Sequence, residues 1–138
     1  MNILFFLNPK NEVAYIEEDD TLRQALEKME HHKYTSIPIL SNQGTYVGTI
    51  TEGDLLWYCK EKNVLNARES ESIPITDVPR RTTYHTVSIS STMEDLFSRA
   101  VHQNFVPVED DGGHFIGIVT RRSIMKYVYS KLAELEKV

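Results

Sequence analysis

Two stretches of this 138-residue chain place a threonine at the end of an apolar run and a polar side chain three positions later. They are Tyr46-Val47-Gly48-Thr49-Ile50-Thr51-Glu52-Gly53-Asp54 and Phe115-Ile116-Gly117-Ile118-Val119-Thr120-Arg121-Arg122-Ser123. If each threonine closes a strand and opens a helix, Asp54 lies on the first helical turn beside Thr51. A carboxylate there either caps the helix or accepts hydroxyl groups of a bound ligand. The free amides and partial positive charge of a helix start suit an anion. Arg121-Arg122 adds two permanent charges to the second start, and guanidinium groups hold phosphate through paired hydrogen bonds. Arg80-Arg81 is another concentration of positive charge on a chain of formal net charge −5. Both arginine pairs also have a plainer reading as solvated surface.

Other reactive residue types lack partners. Adjacent side chains on a helix point ~100° apart, so His31 and His32 do not chelate one ion. No cysteine or carboxylate cluster completes a tetrahedral set around them. His85 and His102 stand alone in the sequence, His85 within reach of a phosphate if a site forms nearby. Cys59, next to Trp57 and Tyr58, reads as a small buried hydrophobe rather than a nucleophile. A single cysteine forms no internal disulfide, which favours the cytoplasm. There is no Gly-x-Ser-x-Gly, no phosphate-binding P-loop and no Cys–His arrangement; a site assembled from distant residues would show no such motif. The acidic balance argues against general binding to DNA or RNA. No apolar run approaches the ~20 residues that cross a membrane. The apolar opening Met1-Asn2-Ile3-Leu4-Phe5-Phe6-Leu7 lacks a basic region and a cleavage site, and is expected to cap the core or a subunit interface.

The elements that position these residues repeat. Gly48 and Gly117, Thr51 and Thr120, and Ile37-Pro38-Ile39 and Val106-Pro107-Val108 share one 69-residue separation. Upstream, Thr21-Leu22 aligns with Thr92-Met93 and Ala25-Leu26 with Leu96-Phe97 at a separation of 71. A two-residue difference confined to a loop is what a duplicated unit tolerates. The first copy reads as a short strand over Val13–Ile16 and a helix with an apolar stripe at Leu22, Ala25, Leu26 and Met29. Then come a strand Ser36–Leu40, a turn at 41–44, a strand Tyr46–Thr51 and a helix from Glu52 to about Lys60. Pro38 suggests that its strand lies at an edge or ends early. The second copy reads as a strand Thr86–Ile89 and a helix with a stripe at Met93, Leu96, Phe97, Ala100 and Val101. A strand Phe105–Val108, a turn at 109–113, a strand His114–Thr120 and a helix from Arg121 to about Leu135 follow. Between the copies, residues 62–74 are polar, with a helical turn near Thr76-Asp77-Val78 closed by Pro79.

This repeat resembles the CBS motif, named after cystathionine β-synthase, over residues 12–60 and 76–135. Its mark is a strand ending in Gly-x-hydrophobic-Thr-x-x-Asp after a hydrophobic-Pro-hydrophobic strand. The first copy carries it complete; the second has Ser123 in place of the aspartate. The resemblance, to small stand-alone bacterial CBS pairs, implies an α+β fold of two pseudo-twofold-related βαββα repeats packed sheet to sheet. Repeat one with its N-terminal extension would occupy 1–60, a linker 61–75 and repeat two 76–138. The resemblance implies no catalysis, no required cofactor and a regulatory adenine nucleotide: AMP, ATP, S-adenosylmethionine or cyclic di-AMP.

It also implies two clefts, each built from both repeats. One would combine Thr51 and Asp54 with Thr83, Tyr84, His85, Phe105, Val106 and Pro107. The other would combine Thr120, Arg121, Arg122 and Ser123 with Val13, Ala14, Tyr15, Ser36, Ile37 and Pro38. The first keeps the ribose acid; the second is expected to favour phosphate. A homodimer is expected from the resemblance and from the many large apolar groups after each threonine: Leu55, Leu56, Trp57 and Tyr58, then Ile124, Met125, Tyr127, Val128 and Leu132. Those groups completing the monomer core is the alternative. The expected output passes to a separate effector protein, with no nucleic acid or membrane partner. The competing reading is a ligand-free interaction scaffold with degenerate clefts.

Overall fold

Residues Met1–Lys137 are described by a computed structural model. In chain order the elements are β1 (Asn8–Pro9), β2 (Ile16–Glu17), α1 (Leu22–His32), β3 (Ser36–Leu40), β4 (Tyr46–Thr51) and α2 (Glu52–Lys62). Then follow α3 (Ala67–Ser70), β5 (Val87–Ser88), α4 (Met93–His102), β6 (Phe105–Glu109), β7 (Phe115–Thr120) and α5 (Arg121–Glu136). Single 3-10 turns occur at Ile3–Phe6, Lys10–Glu12 and Ile75–Asp77. Val138, the last residue of the stretch expected as repeat two, lies outside the described residues. The chain divides into two compact units, Ala14–Thr83 and Met1–Val13 with the residues from Tyr84 onward.

In the unit Ala14–Thr83 the sheet order is β2-β3-β4. Helix α1 starts where Thr21 Oγ1 accepts the Gln24 amide (3.2 Å) and Gln24 Oε1 accepts the Thr21 amide (2.8 Å), a reciprocal box that satisfies two otherwise free donors. It stops at Lys33, whose φ of 58° is left-handed. Its buried stripe is Leu22, Ala25 and Met29; Leu26 faces solvent more than the periodicity suggests, at 39% exposure. The stripe packs with Ile16, Ile37, Ile39, Ile50 and Leu55. Fully burying an aliphatic side chain of this size contributes about 1.5–3 kcal/mol. Ile75 and Val78, from the 3-10 turn before Pro79, close this core. The polar stretch expected at 62–74 holds α3, capped by Asn66 Oδ1 on the Glu69 amide (2.9 Å).

The other unit has the sheet order β1-β7-β6-β5. Its core is Leu96 and Ala100 of α4 with Val87, Val106, Val108, Val119 and Ile124, and with Ile3 and Phe6 of the N-terminal turn. The apolar opening of the chain thus caps this core, as one of its two expected roles. Phe6 meets Tyr127 edge-on at 5.3 Å between ring centroids. Val101, assigned to the α4 stripe by periodicity, is 72% exposed. β1 lies antiparallel on β7, with Pro9 opposite Gly117. A Cβ on Gly117 would fall 2.1 Å from the Asn8 carbonyl oxygen, and its φ is +152°, so only glycine admits this approach.

Proline does not put β3 or β6 at an edge: each is flanked on both sides. The reason is register. β2 pairs only with Ile39 and Leu40, and β5 only with Val108 and Glu109. No ladder donor is therefore needed at Pro38 or Pro107 on the side facing those two-residue strands.

Candidate functional site

Thr51 is the last residue of β4 and the N-cap of α2. Its Oγ1 accepts the Asp54 amide at 3.1 Å, and Asp54 Oδ2 accepts the Thr51 amide at 2.9 Å. Asp54 Oδ1 accepts the main-chain amide of Arg81 at 3.0 Å. Asp54 is only 2% exposed, so its carboxylate closes the helix start and ties the segment after Pro79 to it. A carboxylate offers about four acceptor positions; the remaining ones are available for a hydroxyl. Ser36 is opposite Thr51 in the β3–β4 register. Ser36, Ile37 and Pro38 are buried, Ile37 within the core. Ala14 and Tyr15 are half-buried, and the Tyr15 carbonyl accepts Lys28 Nζ at 3.2 Å. Lys28 also pairs with Asp20 at 3.0 Å. Thr83 is exposed at the end of the unit.

The second helix start is built differently. Thr120 Oγ1 accepts the Ser123 amide (3.1 Å), but Ser123 Oγ donates back to the Thr120 carbonyl (2.9 Å) and leaves the box open. Arg121 does not stand free. Its Nε donates to the Ala100 carbonyl at 2.8 Å and its Nη2 to that of Val101 at 3.5 Å. It thereby satisfies the carbonyl end of α4, where a cation is favoured. Arg122 is exposed, and no ion pair among the described residues includes it.

Tyr84 packs on Phe105 at 5.1 Å between centroids, and its hydroxyl accepts the Asn104 amide at 3.3 Å. His85 donates its amide to Gln103 Oε1 (2.8 Å), while Gln103 Nε2 donates to the His85 and Phe105 carbonyls (3.0 and 3.2 Å). Phe105, Val106 and Pro107 are buried, as is Val13, which closes the Lys10–Glu12 turn. Phe105 lies opposite Thr120 in register. Each expected cleft draws residues from both units. Within single units the structure brings together Thr51, Asp54 and Ser36, and likewise Tyr84, His85 and Phe105 around Gln103.

The family model for the CBS domain matches residues 7–61 and 71–130. The chain belongs to the CBS domain family. It is 26% identical over 118 residues to the inosine-5'-monophosphate dehydrogenase of Methanocaldococcus jannaschii, which covers 83% of this chain and 21% of that protein. The chain therefore spans about a fifth of that relative's length. It is 26% identical over 137 residues to cyclic di-AMP receptor B of Bacillus subtilis, covering 96% of this chain and 89% of the receptor. The crystal structure of CbpB in complex with c-di-AMP matches with a TM-score of 0.83 at 24% identity, over 99% of this chain and 90% of that one. At that identity the likeness speaks to the fold.

Three features of this CBS pair escaped sequence reasoning. Gln103, 3% exposed, holds both the His85 and Phe105 backbones; its only signal is a polar residue between a helix end and a buried strand. Arg81 joins the first helix start through its backbone, which no side-chain pattern announces. The two core-closing turns share a spacing, Ile3-x-x-Phe6 and Ile75-x-x-Val78, each shortly before a proline. Burial pushes the Cys59 thiol above its usual range, which keeps it protonated and poorly nucleophilic at neutral pH. The His31 and His32 rings meet edge-on at 4.8 Å, and no group of three metal-ligating side chains gathers among the described residues. Among them, no helix is long and apolar enough to cross a membrane.

Proposed function

We propose that this CBS pair is a cytoplasmic regulatory module that binds an adenine nucleotide, with cyclic di-AMP the foremost ligand, and signals to a separate partner protein without catalysing a reaction. The observation that carries the reading is the end-to-end similarity to cyclic di-AMP receptor B, over 96% of this chain and 89% of that one. The intact Thr51–Asp54 pair and the free charge of Arg122 support it. In this reading the repeats run 1–60 and 76–138 around a linker at 61–75, and the nucleotide is a regulatory ligand rather than a required cofactor. Asp54 accepts ribose hydroxyls with the lone pairs its internal bonds leave over, and Arg122 meets phosphate. Tyr84, His85, Val13, Ala14 and Tyr15 are proposed as further ligand contacts.

The module is proposed to work as a homodimer. A groove of about 720 Å³ between α1 and α2 is floored by Leu26, Met29, Leu55, Leu56 and Cys59, with the charged Glu30, Lys33 and Glu52 also in its lining. On α5, Met125, Tyr129 and Leu132 are 60%, 75% and 55% exposed. Exposed apolar side chains of this kind support an association face.

Isothermal calorimetry against AMP, ADP, ATP, S-adenosylmethionine and cyclic di-AMP tests the reading. Saturable binding of at least one supports it; heat from none of them refutes it. One observation favours the scaffold reading instead: the Asp54 carboxylate and the Arg121 guanidinium are both committed to internal bonds. Failure of all five nucleotides would make that reading the better one.

A further inference from the structure

Two positive charges meet at the Trp57 ring of α2, and a third lies on β4; the Thr51–Asp54 box uses none of them. Lys60 Nζ lies 5.4 Å from the Trp57 ring centroid, and the Arg81 guanidinium carbon 5.9 Å from it. Arg80 packs against the strand instead: a Cβ on Gly48 would come within 2.5 Å of its Nε. No ion pair among the described residues includes Arg80, Arg81 or Lys60, although acids outnumber bases 20 to 15 in the sequence.

We propose that Arg81 is the phosphate-contacting side chain of the Thr51–Asp54 site, resting on Trp57 until an anionic ligand draws it off. This rests on the nucleotide reading above. Two observations place Arg81 in the role. Its main-chain amide is bonded to Asp54 Oδ1, so its Cα is fixed beside the first turn of α2 while its side chain remains free to swing. Its resting place is weak. Trp57 is 43% exposed, a cation over an exposed ring gains little, and Lys60 shares that ring as a like charge. A phosphate offers the guanidinium two parallel charge-assisted bonds, a stronger and better-matched partner. Asp54 does not hold the guanidinium: no ion pair among the described residues joins them, and the carboxylate instead accepts the main-chain amides of Thr51 and Arg81.

The protein carries one tryptophan, so emission excited at the red edge, where its tyrosines do not absorb, reports this place alone. The experiment titrates the full chain with cyclic di-AMP, AMP, adenosine and inorganic phosphate, following Trp57 emission and calorimetric heat on the same samples. Cyclic di-AMP or AMP should change the emission along the calorimetric isotherm; adenosine and inorganic phosphate at equal concentration should not. Arg81→Ala retains the amide that Asp54 binds, so the helix start stays tied. That variant should lose the emission change and bind the responding nucleotide about tenfold more weakly. Arg81→Lys should recover part of the affinity. If a nucleotide binds calorimetrically while emission stays still and Arg81→Ala binds within twofold of the parent, the role of Arg81 is overturned and the nucleotide reading stands. An equal response to inorganic phosphate reduces the place to an unspecific anion site and overturns the proposal. If none of the nucleotides binds, the nucleotide reading fails and the proposal with it.

Discussion

Replacing Asp54 by alanine tests the first helix start most directly. The change removes one acceptor of the Thr51 amide at 2.9 Å and one of the Arg81 amide at 3.0 Å. A hydrogen bond to a charged group contributes about 1.5–3 kcal/mol, and two taken at face value would double that. The sum is too high, because Arg81 is exposed and Thr51 half-buried, so water replaces part of what each amide loses. Loss of an N-terminal cap alone costs about 0.5–2 kcal/mol. We expect a destabilisation of about 2–4 kcal/mol for Asp54→Ala, read as a lower urea midpoint at unchanged slope. Ser123→Ala, at the matching position of the second repeat, loses a single hydroxyl bond to the Thr120 carbonyl and should cost about 0.5–1 kcal/mol. Equal midpoints for the two variants would refute the claim that the carboxylate latches the Arg81 segment. Under the nucleotide reading, Asp54→Ala also narrows the preference for ribose over 2′-deoxyribose ligands, which calorimetry with matched pairs measures.

Four further outcomes are expected. Arg121→Ala should destabilise the fold by about 1–2 kcal/mol by stripping the α4 carbonyl end, whereas Arg122→Ala should leave the urea midpoint in place and weaken a phosphorylated ligand about 10- to 100-fold; the reverse pattern would exchange their roles. Gly117→Ala should cost about 2–3 kcal/mol and speed amide exchange at Asn8, while Gly48→Ala should cost under about 1 kcal/mol, because it meets the movable Arg80 side chain rather than a backbone carbonyl; similar losses in both would count against the β1–β7 packing. Leu56→Glu should shift sedimentation from dimer to monomer, and a parent that already sediments as a monomer at micromolar concentration would eliminate the dimer. Cys59, with its thiol held up by burial, should react with an alkylating reagent at pH 8 more slowly than free cysteine, and an equal rate in the folded protein would contradict that burial.

The shared separation of Gly48–Gly117 and Thr51–Thr120 was enough to place β3, β4, β6, β7 and the helices that follow them, because period-two strands and threonine caps are local in sequence. What the sequence left unread is non-local. The turns Ile3–Phe6 and Ile75–Asp77 each precede one repeat in the chain yet close the core of the unit formed by the other. A duplication read along the chain assigns each leading segment to the repeat it introduces. Pro38 misdirected the reading of its strand for a related reason: what decides whether a proline is tolerated is how far the neighbouring strand extends, and β2, like β5 beside Pro107, is two residues long. The candidate site was legible as residue types and only partly as roles. Arg121 has the same sequence signature as Arg122, and only the position of the α4 end separates the capping arginine from the free one.

The two helix starts show how a duplicated motif divides its work. In the first, the aspartate is consumed in a closed box and reaches one step further to hold Arg81. The cost of keeping a charge that is 2% exposed is offset by main-chain donors rather than by a counter-ion. In the second, serine closes nothing, and the carboxylate's negative charge is absent from the start of α5. The repulsion that Asp54 would exert on an anion at its own helix start is therefore missing beside Arg122, and the helix-start field there is opposed by no acid in the first turn. Under the nucleotide reading, the same substitution removes a ribose acceptor and raises the attraction for phosphate. The second start is predicted to show the steeper loss of affinity with added salt, which titrations of Arg122→Ala and Asp54→Ala at low and high ionic strength will separate. If the salt dependence of binding is unchanged in Arg122→Ala, the charge asymmetry of the two starts has no bearing on the ligand.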